Sequence, residues 1–385
     1  MYTTIKIGHQ QLNQERINAI DALFAGNVDV IVPDINTNRN IIRTKTYYNK
    51  HIYTSNHVYP YMMEQVNKEL KDIKAKHPHP ETEYKTFRIP KRTHGFREIN
   101  APLPELKTDL KYISNLLTNY LGILSHDSAW AYIPGRDVVH AMKEHTKNKS
   151  RWYLKLDLHD FFGSCNKEFI IKQLKKIYPF AALTTYTDEI LNNIADLATK
   201  DNGLPQGTPL SPTLTNLIMV EFDYKINNIL KNMAGKEIEL QKYIYTRYAD
   251  DIIISAKNKF DYNKIVIAIK ELFSDTPLTI NEEKTRFGSS SGRNWNLGVM
   301  CNKDNEVTVG YKRKQQMKVI INNYMKDKEQ DILWSLEDLY WLQGQLSWLQ
   351  NVEPTYFKGF RTYINNKYNK DIVNSIIVDI KSYTN

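Results

Sequence analysis

Cysteine is scarce in this chain: two in 385 residues, Cys165 and Cys301, far apart in sequence. That excludes a disulfide scaffold and fits free thiols in a reducing compartment. Nowhere does an apolar run approach the ~18 residues needed to cross a bilayer. The opening MYTTIKIGHQQLNQER lacks the apolar stretch of a secretory signal, so no membrane and a cytoplasmic location are expected. Internal repeats and low-complexity linkers are missing too. Acidic residues are in deficit, 43 Asp and Glu against 52 Lys and Arg, for a formal charge of +9. The surplus favours a polyanionic partner, nucleic acid first.

What is present is globular. Apolar types make up 41% and charged types 25%, which excludes a disordered or fibrous chain. At about 100–200 residues per domain the length predicts two or three structural units. The 25 tyrosines and 6 tryptophans serve a core and also suit base stacking among basic residues.

The patterning predicts an α+β chain. Residues 1–80 read as a helical extension, because QQLNQERINAIDALF and YPYMMEQVNKELKDIKAK carry apolar residues at three- and four-residue spacings. FRIPKRTHGFREINAPLPELK alternates around Gly95 as two strands and a turn, then opens a Pro-bounded helix. WYLKLDLHDFF, from Trp152, is strand-like, with Leu154, Leu156 and Leu158 on one face. Residues 167–198 look helical. GLPQGTPLSP is a turn-rich loop before a helix, YIYTRYADDIIIS is strand–turn–strand, and KIVIAIKELFS is a helix. From residue 311 the chain looks mainly helical, interrupted near Pro354.

Chemistry concentrates in the acids. Asp250 and Asp251 lie between apolar β-formers, which puts them at a hairpin tip. Adjacent side chains on a straight strand point to opposite faces, and a tight turn lets both reach one site. Two carboxylates held together repel each other, a penalty that a divalent cation removes. Asp157 lies in the apolar strand LKLDLHDFF, where an unpaired carboxylate would be costly, and Asp160 is the alternative acid where that strand ends. If this strand pairs with the hairpin, three carboxylates converge. Such oxygen ligands suit Mg²⁺ with substrate phosphates.

These segments resemble a known family. Tyr248-Ala-Asp-Asp251 is similar to the catalytic box of reverse transcriptases, and LKLDLHDFF to their first catalytic-aspartate motif. Gly203–Pro212 with LTNLIM resembles the loop and helix that hold the nascent base pair. Asn281–Thr285 resembles the lysine motif that follows, and LGVM near Gly298 the primer-grip hairpin. FREIN and AYIPGRD resemble fingers blocks of bacterial retron and group II intron enzymes, and GQLSWLQNVEPTYF their thumb. The motifs stand in family order from about residue 85 to 360.

The resemblance implies a right-hand polymerase: a helical extension over 1–80, fingers and palm over 81–310, and a helical thumb over 311–385. It implies RNA-directed DNA synthesis with two Mg²⁺ ions, Mn²⁺ being a substitute. Asp157, Asp250 and Asp251, with the carbonyl of Leu158, are then the metal ligands. Arg97, with Lys91 or Arg92, faces the triphosphate. Gln206 and Gly207 lie under the incoming nucleotide, and Lys284 lies near the leaving pyrophosphate. Phe162, five residues after Asp157, falls where the family places an aromatic beneath the sugar, so its ring would exclude a 2′-hydroxyl; Phe161 is then core. The basic run at Lys312, Arg313 and Lys314 is expected to touch nucleic-acid phosphates. Trp341 and Trp348, seven residues apart, are expected to pack.

The expected partners are dNTPs, an RNA template, a DNA or RNA primer and a dedicated non-coding RNA, with the oligomeric state open. Two departures from the retron pattern steer the reading elsewhere. His140-Ala-Met-Lys-Glu-His145 replaces the asparagine of the retron Asn-Ala-x-x-His element and shifts its final histidine. Asn296-Leu-Gly-Val299 stands where retrons carry Val-Thr-Gly. The chain also stops too soon after the thumb for the maturase and endonuclease of group II intron enzymes. By elimination, stand-alone abortive-infection or anti-phage defence enzymes are favoured. A retron enzyme, untemplated or protein-primed synthesis, and an RNA-binding scaffold remain as alternatives.

Overall fold

The computed structural model describes residues 5–7, 10–12, 30–34, 39–43, 58–91, 95–181, 184–234, 241–290 and 295–383. Two short antiparallel pairs come first: β1 (Ile5–Ile7) with β2 (Gln10–Leu12), and β3 (Val30–Asp34) with β4 (Arg39–Arg43). These correct the expectation of a helical start. Residues 10–12 of the stretch read as helix are bonded to β1 instead, because a short apolar spacing does not separate helix from strand. Residues 13–24 of that stretch lie outside the described residues. The second expected helix is present as α1 (Val58–Lys76).

The hairpin around Gly95 is β5 (Tyr84–Pro90) and β6 (Phe96–Pro102), in register from Tyr84↔Pro102 to Pro90↔Phe96. Pro104 then opens α2 (Pro104–Asn115), where its missing N–H costs nothing. Next come α3 (Val138–Lys147), β7 (Trp152–Asp157) and the single turn α4 (Phe161–Ser164). The helical stretch expected over 167–198 is two helices, α5 (Lys167–Leu174) and α6 (Thr187–Ala198). Pro179 lies between them and has no N–H to continue a helix. After the 199–210 loop follow α7 (Ser211–Ile218) and α8 (Val220–Ala234), then β8 (Tyr243–Tyr248), β9 (Asp251–Ala256), α9 (Tyr262–Phe273) and β10 (Arg286–Ser289).

Strands β7 to β10 form one sheet in the order β10-β7-β9-β8. Strand β7 is internal, so Tyr153, Leu154, Leu156 and Asp157 are all buried. This explains why its sequence reads as nearly continuous apolar rather than strictly alternating. A three-stranded meander follows: β11 (Trp295–Asn296), β12 (Val299–Cys301) and β13 (Val307–Thr308). Its first turn is Leu297-Gly298, both at positive φ. The chain finishes on α10 (Tyr311–Glu329), α11 (Leu336–Val352), α12 (Pro354–Tyr368) and α13 (Ile372–Ser382).

The chain divides into two compact units. One comprises Met1–Gly135, Leu156–Ile252 and Asp261–Thr285. Its core includes Leu70, Leu110, Leu191 and Ile194, where α1 and α2 pack on α6. The other comprises Arg136–Lys155, Ile253–Phe260 and Arg286–Asn385. Its core joins Val139 and Met142 of α3, Val299 and Val309, and the inner faces of α10 to α13 through Ile321, Leu342, Phe360 and Ile376. Here His145 is fully buried, with Nδ1 2.6 Å from Ser255 Oγ, which in turn bonds Ser150 Oγ at 2.8 Å. Both cysteines are free and buried. Burial pushes the Cys165 thiol up to about 12 and that of Cys301 to about 11. Among the described residues no helix is long and apolar enough to cross a membrane.

Candidate active site

The first unit holds a cavity of about 650 Å³, lined by Lys91, Arg97, Asp157, Leu158, Phe162, Gln206, Asp250 and Lys284 among others. Backbone pairing builds it. At the end of β7 the carbonyl of Asp157 accepts from Asn281 N at 2.8 Å, Leu158 N donates to Asp250 O at 3.1 Å, and His159 N donates to Thr279 O at 2.8 Å. The β7 terminus is thereby gripped between the β8–β9 turn and the 279–281 segment. That turn is Ala249-Asp250, with Ala249 at φ +56°, a conformation that costs a non-glycine residue about 1–2 kcal/mol. Asp250 sits in the turn and Asp251 begins β9.

The Ala249 conformation is held from behind. Arg247 and Asp223, both without exposed side-chain surface, form a two-pronged ion pair: Nε to Oδ1 at 2.9 Å and Nη2 to Oδ2 at 2.8 Å. Nη1 of Arg247 donates to the Ala249 carbonyl at 3.2 Å and to Asn216 Oδ1 at 3.3 Å. Tyr245 donates its hydroxyl to the same Asp223 carboxylate at 2.5 Å. Burial works against the Arg247 charge, yet the Asp223 carboxylate outweighs it and raises the arginine pKa.

The carboxylates are electrostatically coupled. Burial first, then repulsion from Asp251 and, less strongly, Asp157, raises the Asp250 carboxyl above the usual carboxylate range. Asp157, 6% exposed, is paired with the Lys284 ammonium at 3.0 and 3.2 Å. Hard carboxylate oxygens with excess negative charge suit a divalent cation. Among the described residues, no three His, Cys, Asp or Glu side chains stand grouped as a metal-ligand cluster. The fit is therefore one of donor chemistry, with Lys284 as the present counter-charge of Asp157.

Other expected residues converge on the same cavity. Phe161, 3% exposed, and the half-buried Phe162 both line the cavity. Arg97 lies on β6 opposite Ile89, and Lys91 closes the β5–β6 turn through its N–H to Gly95 O. Arg92 lies outside the described residues. The 203–207 loop is bonded to β6, Asn100 N donating to Gln206 O at 2.8 Å. Gly207 has φ +112°, and a Cβ there would meet Ile99 Cγ2 at 2.9 Å, so only glycine fits without strain.

The basic run does not join this site. Lys312, Arg313 and Lys314 open α10 in the other unit. Lys314 is committed to Glu353 at 2.5 Å and lies 4.4 Å over the Tyr356 ring. Arg313 donates to Gln345 at 2.9 Å, and Lys312 is exposed. Trp341, expected to pack, is 47% exposed, since Leu339, Leu342, Leu346 and Leu349 supply the inward stripe of α11.

Asp160, weighed in the sequence as the alternative acid, and Asn281, first residue of the lysine motif, also line the cavity. Sequence reasoning passed over other residues. Gly163 is fitted against the Asp160 carboxylate. Tyr132, at φ +62°, has its phenol pKa raised by burial and then by Asp250 and Tyr248. The Arg247–Asp223 pair was also unforeseen. Its only sequence signal was a charge within an apolar strand.

The family described as reverse transcriptase (RNA-dependent DNA polymerase) matches residues 89–320. Retron Ec83 reverse transcriptase of Escherichia coli is 27% identical over 306 residues, 77% of this chain and 90% of that protein. Retron Ec73 reverse transcriptase of the same species is 27% identical, covering 75% and 88%. Retron Mx65 reverse transcriptase of Myxococcus xanthus is 26% identical, covering 65% and 57%. Among solved structures, apo telomerase from Candida tropicalis aligns with a TM-score of 0.41 and 16% identity, covering 68% of this chain and 61% of that one. The departures at 140–145 and 296–299 thus do not separate the chain from retron-type enzymes, as the elimination had suggested. The chain belongs to the reverse transcriptase family of RNA-directed DNA polymerases, and its relatives include bacterial retron enzymes.

Proposed function

We propose that this RNA-directed DNA polymerase extends a primer with dNTPs by two-Mg²⁺ nucleotidyl transfer, copying a dedicated non-coding RNA in anti-phage defence. The observation that carries the chemistry is the single cavity on which Lys91, Arg97, Asp157, Phe162, Gln206, Asp250 and Lys284 converge. Asp157, Asp250 and Asp251, with the Leu158 carbonyl, would hold the ions. When bound, divalent ions activate the primer hydroxyl and neutralise the leaving phosphate. Arg97 and Lys91 pair with the triphosphate of the incoming nucleotide. The 203–207 loop supports the nascent pair, and Phe162 lies beneath the sugar. Lys284 exchanges its contact with Asp157 for the departing pyrophosphate. In this reading the β5–β6 hairpin belongs to the fingers, the β7–β10 sheet to the palm, and α10 to α13 to the thumb. The matches to reverse transcriptases support an RNA template.

Primer extension on a defined RNA template tests the reading. Losing a metal ligand removes several kcal/mol of charge stabilisation, so Asp250→Asn should lower the rate by about 10³-fold or more. Asp157→Asn and Asp251→Asn should do likewise with unchanged melting behaviour. Near-normal extension by Asp250→Asn would sink the assignment. Sequencing nucleic acid that copurifies with the protein separates templated from untemplated synthesis: a complementary RNA–DNA pair supports the former, a homopolymer the latter. Loss of phage protection in Asp250→Asn cells tests the defence role.

A further inference from the structure

The floor of the cavity is built by backbone meeting backbone. A Cβ placed on Gly203 would fall 2.5 Å from Gly163 O, 2.8 Å from its Cα and 3.0 Å from its carbonyl carbon. These are main-chain atoms, so no rotamer change relieves the clash. Beside this contact the Leu204 N–H donates to Phe162 O at 3.0 Å. Residues 203 and 204 therefore fix the peptide that joins Phe162 to Gly163. A Cβ on Gly163 would lie 2.2 Å from Asp160 Oδ2 and 2.7 Å from Asp160 Cγ, so the Asp160 side chain packs closely on residue 163. The Phe162–Gly163 peptide is thus fixed by the main chain of the loop, with a carboxylate beside it.

Phe162, whose carbonyl accepts the bond from Leu204 N, lines the cavity. We propose that Gly203 is a positioning residue for sugar selection: its missing side chain sets the height of the Phe162 ring beneath the incoming nucleotide. This rests on the reading of Phe162 as the group under the sugar. A ring excludes a hydroxyl only while its atoms occupy the space that hydroxyl would need, so a ring displaced away from the sugar admits it. Any side chain at 203 shifts the α4 turn as a unit and carries the ring with it. In sugar selection Gly203 acts through residue 162.

The test is a double-mutant cycle read as the ratio of dNTP to rNTP incorporation efficiency on a defined RNA template. Wild type, Gly203→Ala, Phe162→Ala and the double variant are compared. Gly203→Ala should lower discrimination by about tenfold. In the Phe162→Ala background it should change the ratio no further, because no ring remains to be moved. A merely structural role would depress both efficiencies together and leave the ratio alone. Pro205→Ala is the milder companion should Gly203→Ala fail to fold. It adds no atom to the contact and lifts the restriction that a following proline places on the Leu204 backbone, whose N–H donates to Phe162 O, so the ratio should fall by a smaller factor. If Phe162→Ala lowers the ratio while Gly203→Ala and Pro205→Ala do not, or if the effects multiply in the double variant, Gly203 has no part in selection. If Phe162→Ala itself leaves the ratio unchanged, the reading of Phe162 fails first and takes this one with it.

Discussion

Asp223→Ala is the most informative perturbation, because it separates what Arg247 does for the fold from what it does for the catalytic turn. The substitution deletes both prongs of the ion pair and the acceptor of the Tyr245 hydroxyl. It leaves a guanidinium with no exposed surface and no counter-charge. Breaking a buried pair from one side costs about 3–5 kcal/mol. For a unit of this size each kcal/mol moves the melting temperature by about 2–4 °C, so a drop of about 10 °C is expected. Scanning calorimetry or dye-monitored melting measures it. A shift below about 2 °C would refute the reasoning, since the pair could not then be closed and buried. The double variant Asp223→Leu/Arg247→Met replaces charge with volume and should recover most of the lost stability. It cannot recover the bond from Nη1 to the Ala249 carbonyl. Primer extension should therefore stay depressed when stability has returned. If both return together, Arg247 serves the fold alone.

Three further outcomes are expected. Burial lowers the pKa of His145 to about 3, well below the unfolded value of about 6.5, so its neutral form is the native one and its contribution to stability is complete above pH 6.5. That contribution falls by about 1.4 kcal/mol per pH unit as the pH drops toward the folded-state value, and denaturant titrations at pH 7 and pH 5 should show the loss in wild type but not in His145→Phe. Neutralising Lys312 and Arg313 together should reduce the slope of log affinity against log salt for RNA by about 0.7 per lost phosphate contact, as read by titration from 50 to 300 mM salt; an unchanged slope returns them to a solvated face. Lys314→Ala should instead lower the melting temperature, because its ammonium holds Glu353, whose carboxylate also accepts from Val309 N and the Thr308 hydroxyl.

The sequence disclosed most where local pattern and chemistry coincide. Asp250 and Asp251 between two β-forming runs gave a hairpin, and the structure has it, with Asp250 in the turn. Pro104 marks a helix start that is found where it stands, whereas the helix expected from Leu214 begins at Ser211, inside the stretch read as loop. The basic run was legible only as charge. Three adjacent residues on a helix face different directions, so one meets Glu353 and another meets water. The opening segment misled for a related reason: over a few residues, apolar spacing fits a helix as well as a strand, and pairing with β1 decided for residues 10–12.

The sequence by itself determined the chemistry on offer: three acids, a basic balance, an aromatic five residues past Asp157, and glycines in a loop. Those are properties of residue types and short spacings, which survive any folding. Only the tertiary structure decided which of these groups share a cavity, since Arg97, Asp157, Gln206 and Lys284 come from four separated segments joined by β7, β9 and their neighbours. It also decided what stands behind them. The Arg247–Asp223 pair spans a strand and a helix, and the contact of Gly203 with Gly163 spans a loop and a helical turn. Such contacts depend on distances between segments remote along the chain, set by packing the whole core, and no short window of sequence contains them.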